Sequence, residues 1–130
     1  MSENQKKIWI TGASSGIGKA LALKFAKENW QVAISARRKE LLDELAQNEN
    51  ISAFPLDVTD EHLVKTSFSR IIEQFEDLDL CVLCSGAYDP KLEKEINIQQ
   101  IKKIMNINFF GVLNCIKTAE DYFKNKKKGH

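Results

Sequence analysis

Eight residues, Thr11-Gly-Ala-Ser-Ser-Gly-Ile-Gly18, separate a short β-rich run (Lys7 to Thr11) from an amphipathic stretch beginning at Ile17. A strand that enters a helix through glycines at 12, 16 and 18 leaves few choices of fold. Such a turn is tight, lets backbone approach a ligand closely, and presents helix-terminal N–H groups to an anion. Side chains at the glycine positions would obstruct one or another of these. The phosphate-binding loop of nucleotide triphosphatases is excluded by spacing, because it needs Gly where Ala13 stands and Ser or Thr where Ala20 stands. The turn therefore points to a dinucleotide pyrophosphate, with Gly12, Ser14, Ser15, Gly16, Ile17 and Gly18 as binding residues.

The rest of the chain alternates in the same way. Strands are predicted at 7–11, 31–36, 51–56 and 78–84. Helices are predicted at 17–28, 39–47, 60–75 (capped by Thr59 or Asp60), 93–103 and 104–127. In the last helix Met105, Phe109, Val112, Ile116 and Phe123 line one side, and Phe110 and Leu113 form a second patch. The fourth strand, LDLCVLC, is apolar on both faces, as in a parallel sheet covered on both sides. Alternating β and α elements imply an α/β fold with right-handed crossovers. No repeat or linker divides residues 1–130, which are expected to form a single domain.

Charge gives no reason to expect nucleic acid, since 19 Lys and Arg face 18 Asp and Glu. The amino terminus lacks a secretory apolar region, and no apolar run approaches the roughly 20 residues that cross a bilayer. Cys81, Cys84 and Cys115 are odd in number and lie in apolar runs, so they read as reduced core residues of a cytoplasmic protein. Cys81 and Cys84 have redox or zinc spacing, but positions three apart on a strand face opposite ways and no second pair completes a site. No metal is expected. The Lys124–Lys128 run reads as a solvated helix end near Gly129.

TGASSGIG closely resembles the cofactor motif of the short-chain dehydrogenase/reductase family, and the likeness continues along the chain. Asp57-Val58 matches the pair that lines the family's adenine pocket. Cys84-Ser85-Gly86-Ala87 matches its Asn-Asn-Ala-Gly segment loosely, and Asn108-Phe-Phe-Gly111 matches the stretch holding its active-site Asn. The resemblance implies a Rossmann-like parallel sheet of order 3-2-1-4 with helices on both faces. It implies cofactor contacts at Asp57, Val58, Ser85, Gly86 and Ala87, and a catalytic role for Asn108.

The end of the second strand selects the cofactor. NAD sites place a carboxylate there for the ribose hydroxyls. Here Ala36 is followed by Arg37 and Arg38, whose guanidinium groups suit a 2′-phosphate. Two arginines alone would read as the start of a surface helix. With Ser14 and the missing carboxylate they indicate NADP.

The family's Ser and its Tyr-x-x-x-Lys lie beyond a fifth strand, and residue 130 stands about where that strand should begin. Tyr122 and Lys126 have the spacing but share a helix with Asn108, so they read as packing and a solvated helix end. The chain is thus expected to be the cofactor-binding half, truncated before the fifth strand and inactive by itself. The whole enzyme implied would move hydride to or from a small-molecule carbonyl or alcohol. The alternative is a non-catalytic nucleotide-binding or regulatory protein that kept the fold. A homo-oligomer is expected, through the uncovered edge of the fourth strand or the apolar faces of the last helix.

Overall fold

The computed structural model describes residues 4–130. Four strands, β1 (Lys7–Thr11), β2 (Gln31–Ser35), β3 (Ile51–Ala53) and β4 (Leu80–Leu83), alternate with helices. These are α1 (Gly16–Lys27), α2 (Lys39–Leu45), α3 (Glu61–Phe75), α4 (Ile98–Met105) and α5 (Val112–Lys126). The strands are parallel in the order β3-β2-β1-β4, as expected, so their C-terminal ends all open on one side.

Pleating sorts the core into two layers. Ile8, Ile10, Val32 and Ile34 face Ala22 and Ala26 of α1 and Leu42 of α2. Trp9 and Ala33 face the other way, toward Val64, Phe68, Ile71 and Phe75 of α3 and Cys115 and Ala119 of α5. Helices cover both faces of the sheet, which is why these strands carry no polar alternation. Trp9 stands opposite Ala33 in register, a large side chain beside a small one. Its ring meets Phe68 edge-on at 5.5 Å, and its Nε1–H donates to the buried Ser35 Oγ at 3.0 Å.

Four expectations change. Residues 93–103 do not form one helix: Pro90–Glu93 make a 3₁₀ turn, and α4 starts at Ile98, where Asn97 Oδ1 accepts from Gln100 N–H. From there helix runs on through a π turn, Asn106–Gly111, into α5. The predicted apolar stripe is not the buried face. Met105, Phe109, Phe110, Leu113 and Ile116 are exposed, whereas Gly111, Cys115 and Ala119 are buried. The face turned to the core carries small residues, so the large apolar residues mark the exposed side instead. Small residues four apart then let the helix approach the layer of α3.

The other two changes concern ends. Lys126 is not a solvated helix end: its ammonium pairs with Asp77 and donates to the Leu78 carbonyl at 2.7 Å. The outer edge of β4 is not bare along its whole length. His130 N–H donates to the Asp79 carbonyl at 3.0 Å, and Cys81 N–H donates to the His130 carbonyl at 2.8 Å. That pattern is a parallel bridge across Leu80. Among the described residues no helix is long and apolar enough to cross a membrane, and no His, Cys, Asp or Glu cluster could hold a metal.

Candidate functional site

The site grows from the end of β1. Gly12 takes φ of 65° and Gly16 takes φ of 56°, the left-handed region that favours glycine. At Gly12 space is also short, because a Cβ there would lie 2.5 Å from the Cys84 carbonyl carbon. At Gly18 a Cβ would lie 2.3 Å from the Gly12 carbonyl oxygen. The strand-to-helix turn can fold this tightly only without those side chains. Above Gly16, by contrast, a Cβ would meet nothing within 4 Å and would project into open space over the turn.

The start of α1 is left open to an anion. Ser15 occupies the N-cap position yet makes no side-chain capping bond, and no acidic residue lies in the first turn. The contrast with α3 is direct, for there Asp60 Oδ1 accepts from Leu63 N–H and Glu61 follows. An uncapped helix start keeps its N–H donors and positive dipole end available.

Around this turn runs a groove of about 750 Å³ along the C-terminal ends of the four strands. The glycine-turn residues Gly12, Ser14, Ser15, Gly16, Ile17 and Gly18 line it, as do Arg37 and Arg38 after β2. Asp57 and Val58 line it after β3, and Ser85 and Gly86 after β4. Sequence reading missed Leu56, Leu83 and Ile107, which also reach it. Leu56 and Leu83 stand at strand ends, a signal that was present, while Ile107 is brought in by the π turn.

Two expected residues lie outside the lining. Ala87 is held by Asn108, whose Oδ1 accepts from Ala87 N–H at 2.6 Å and whose Nδ2 donates to the Ala87 carbonyl at 2.8 Å. Asp57 is also engaged: its Oδ1 accepts from Thr59 N–H at 3.0 Å and from Thr59 Oγ at 2.7 Å, which folds the turn after β3. Cys84 borders the groove, and burial pushes its thiol up, so it stays protonated.

Tyr122 and Lys126 do not join this site. They meet Asp77 and the Leu78 carbonyl, which precede β4, at the end of the sheet opposite the groove. Tyr122 packs edge-on against Phe68 and Phe123, as expected of a packing residue. Burial first, then the bond to Asp77, pushes its hydroxyl up to about 12, the reverse of what a general acid near neutral pH needs.

A model of the short chain dehydrogenase family matches residues 6–130. The chain belongs to that family. Within the short-chain dehydrogenases it is 36% identical to the NADPH-dependent 1-acyldihydroxyacetone phosphate reductase of Schizosaccharomyces pombe, over 91% of this chain and 40% of that enzyme. The structure of ElxO with NADP bound superposes with a TM-score of 0.87 at 33% identity, over 96% of this chain and 53% of that one. A 3-ketoacyl-(acyl-carrier-protein) reductase from Brucella melitensis complexed with NADH gives 0.86 at 25% identity, over 95% and 52%. The chain spans about half the length of the relatives it matches. The Rossmann-like sheet and the oxidoreductase family are thereby fixed.

Proposed function

We propose that this chain is the NADP(H)-binding half of a short-chain oxidoreductase and forms one domain over residues 1–130. The observation that carries the reading is one groove containing an open helix start, Ser14 and the pair Arg37 and Arg38, with Ala36 where a carboxylate would face the ribose. A carboxylate would repel a 2′-phosphate, whereas guanidinium groups pair with it. The pyrophosphate would lie over Gly16 against the first-turn N–H groups of α1, and the adenine beside Asp57 and Val58. Ser85 and Gly86 would flank the nicotinamide half, with Ala87 behind them in the loop that Asn108 holds.

When bound, the cofactor supplies hydride exchange with a carbonyl or alcohol carbon. This chain's own residues bind and orient it, and Asn108 shapes the loop at its nicotinamide end. No described Tyr–Lys pair stands in the groove, so these 130 residues alone are expected to bind without turning over substrate. The three free thiols fit a reducing cytoplasm, and the exposed apolar residues of the long helix fit a homo-oligomer.

Calorimetric titration with NADPH and NADH tests the assignment. NADPH is expected to bind at least tenfold tighter. Equal affinities would remove the case for NADP.

A further inference from the structure

The segment from α4 to α5 touches both loops that flank the groove, and the contact on the adenine side has no explanation in the family motif. Asn114 Nδ2 donates to the Val58 carbonyl at 2.9 Å, across 56 residues of sequence. Less than one turn earlier, Gly111 lies against the same residue: a Cβ on Gly111 would sit 2.6 Å from Val58 Cγ2. Val58 is buried and stiff at χ1, so it cannot yield cheaply. One residue of the groove is thus held at its side chain by the bare backbone of Gly111 and at its carbonyl by Asn114.

Apart from the packing of the Val58 side chain in the core, few hydrogen bonds fix the turn after β3. Beyond Asp57 its internal bonds are those of Asp57 Oδ1 with Thr59 and of Asp60 N–H with the Asp57 carbonyl at 3.1 Å. These shape the turn but do not tie it to the rest of the fold. The Asn114 amide does, and it fixes the plane of the peptide after Val58 relative to α5.

We infer that Asn114 is a positioning residue for the adenine end of the cofactor, holding the Asp57–Thr59 turn in its receiving shape through the Val58 carbonyl. The inference rests on the proposed cofactor reading. Asn114 does not line the groove and touches no part of a ligand there. It acts through Val58.

The test uses adenosine 2′,5′-bisphosphate, which carries the adenine and the 2′-phosphate without the nicotinamide. Calorimetry compares the wild-type chain with Asn114→Ala and with the near-isosteric Asn114→Asp, which keeps the volume but loses the donor. Lys117→Ala on the exposed face of the same helix is the control. Each Asn114 variant is expected to bind about 2- to 10-fold more weakly, the range of one neutral hydrogen bond, with the control unchanged. Amide hydrogen exchange on the ligand-free proteins supplies the second readout. It should accelerate at residues 57–60 in the variants and stay constant in β1 and β2. Unchanged affinity in both variants overturns the inference, and so does faster exchange throughout β1 and β2, which would mark a general loss of stability. A wild-type chain that does not take the bisphosphate overturns the cofactor reading itself, and the inference with it.

Discussion

Asn108 closes a ring of two hydrogen bonds on Ala87, accepting from its N–H and donating to its carbonyl across 21 residues of sequence. The side-chain amide does for the loop after β4 what a neighbouring strand would do: it satisfies both backbone groups of one residue. Only an amide at this position can both donate and accept in one plane. Asn108→Asp keeps the size but sets a carboxylate against the Ala87 carbonyl. It is expected to lower stability by about 1–2 kcal/mol, and Asn108→Ala by about 1 kcal/mol, in urea unfolding. Equal stability of all three proteins would show that the ring contributes nothing.

Arg37 and Ser14 both line the groove. Arg37→Ala is expected to weaken NADPH binding by roughly 1.5–3 kcal/mol, the range for a charged hydrogen bond, and to leave NADH binding unchanged. Parallel titrations of the two cofactors read the difference. A similar loss for both would place Arg37 elsewhere in the site.

The glycines should differ sharply from one another. Gly16→Ala meets open space and bears mainly the left-handed penalty of about 1–2 kcal/mol. Gly12→Ala bears that penalty and also drives a Cβ into the Cys84 backbone, while Gly18→Ala strikes the Gly12 carbonyl. Both are expected to cost more than Gly16→Ala in denaturant midpoints. Gly16→Ala should nonetheless hinder cofactor binding, since its methyl would point over the turn. Stability and binding would then separate at this residue.

At the opposite end of the sheet, Asp77 is titrated by competing forces. Partial burial pushes its carboxyl up, but the Lys126 ammonium, the Leu78 N–H and the Tyr122 hydroxyl outweigh this and hold it below its ordinary value. A depressed carboxyl contributes stability that is present above its unfolded value and lost as pH falls through the folded one. Tyr122, held near 12 against an ordinary 10.0, contributes stability present below the unfolded value and lost as pH rises between the two. Tyr122→Phe is therefore expected to flatten the alkaline limb of stability against pH while leaving cofactor affinity untouched. Loss of cofactor binding in this variant would contradict the placement of Tyr122 away from the groove.

Met105, Phe109, Leu113 and Ile116 leave an apolar surface on the long helix. Self-association through it is expected in sedimentation experiments at micromolar concentration. Phe109→Lys should shift the chain toward monomer, because a buried unpaired ammonium opposes packing. A chain that is monomeric before the substitution would leave this surface without the role proposed for it.

The amino-acid sequence by itself determined the alternation of strands and helices, the glycine turn and the arginines after β2. Each is written locally: a period of apolar residues, a positive φ that favours glycine, or a charge at a strand end. The cap of α3 was legible as Thr59 or Asp60 because a capping side chain bonds within its own turn, and the structure gives it to Asp60. Tertiary structure alone decided the rest. The core-facing residues of the last helix are small and its large apolar residues are exposed, so periodicity could not say that Gly111, Cys115 and Ala119 face the core. Lys126 sits in a run of lysines, and only the fold brings Asp77 to it from 49 residues away. Asn114 carried no signal at all, since its partner is a backbone carbonyl, and any residue could present the same atom in a different fold.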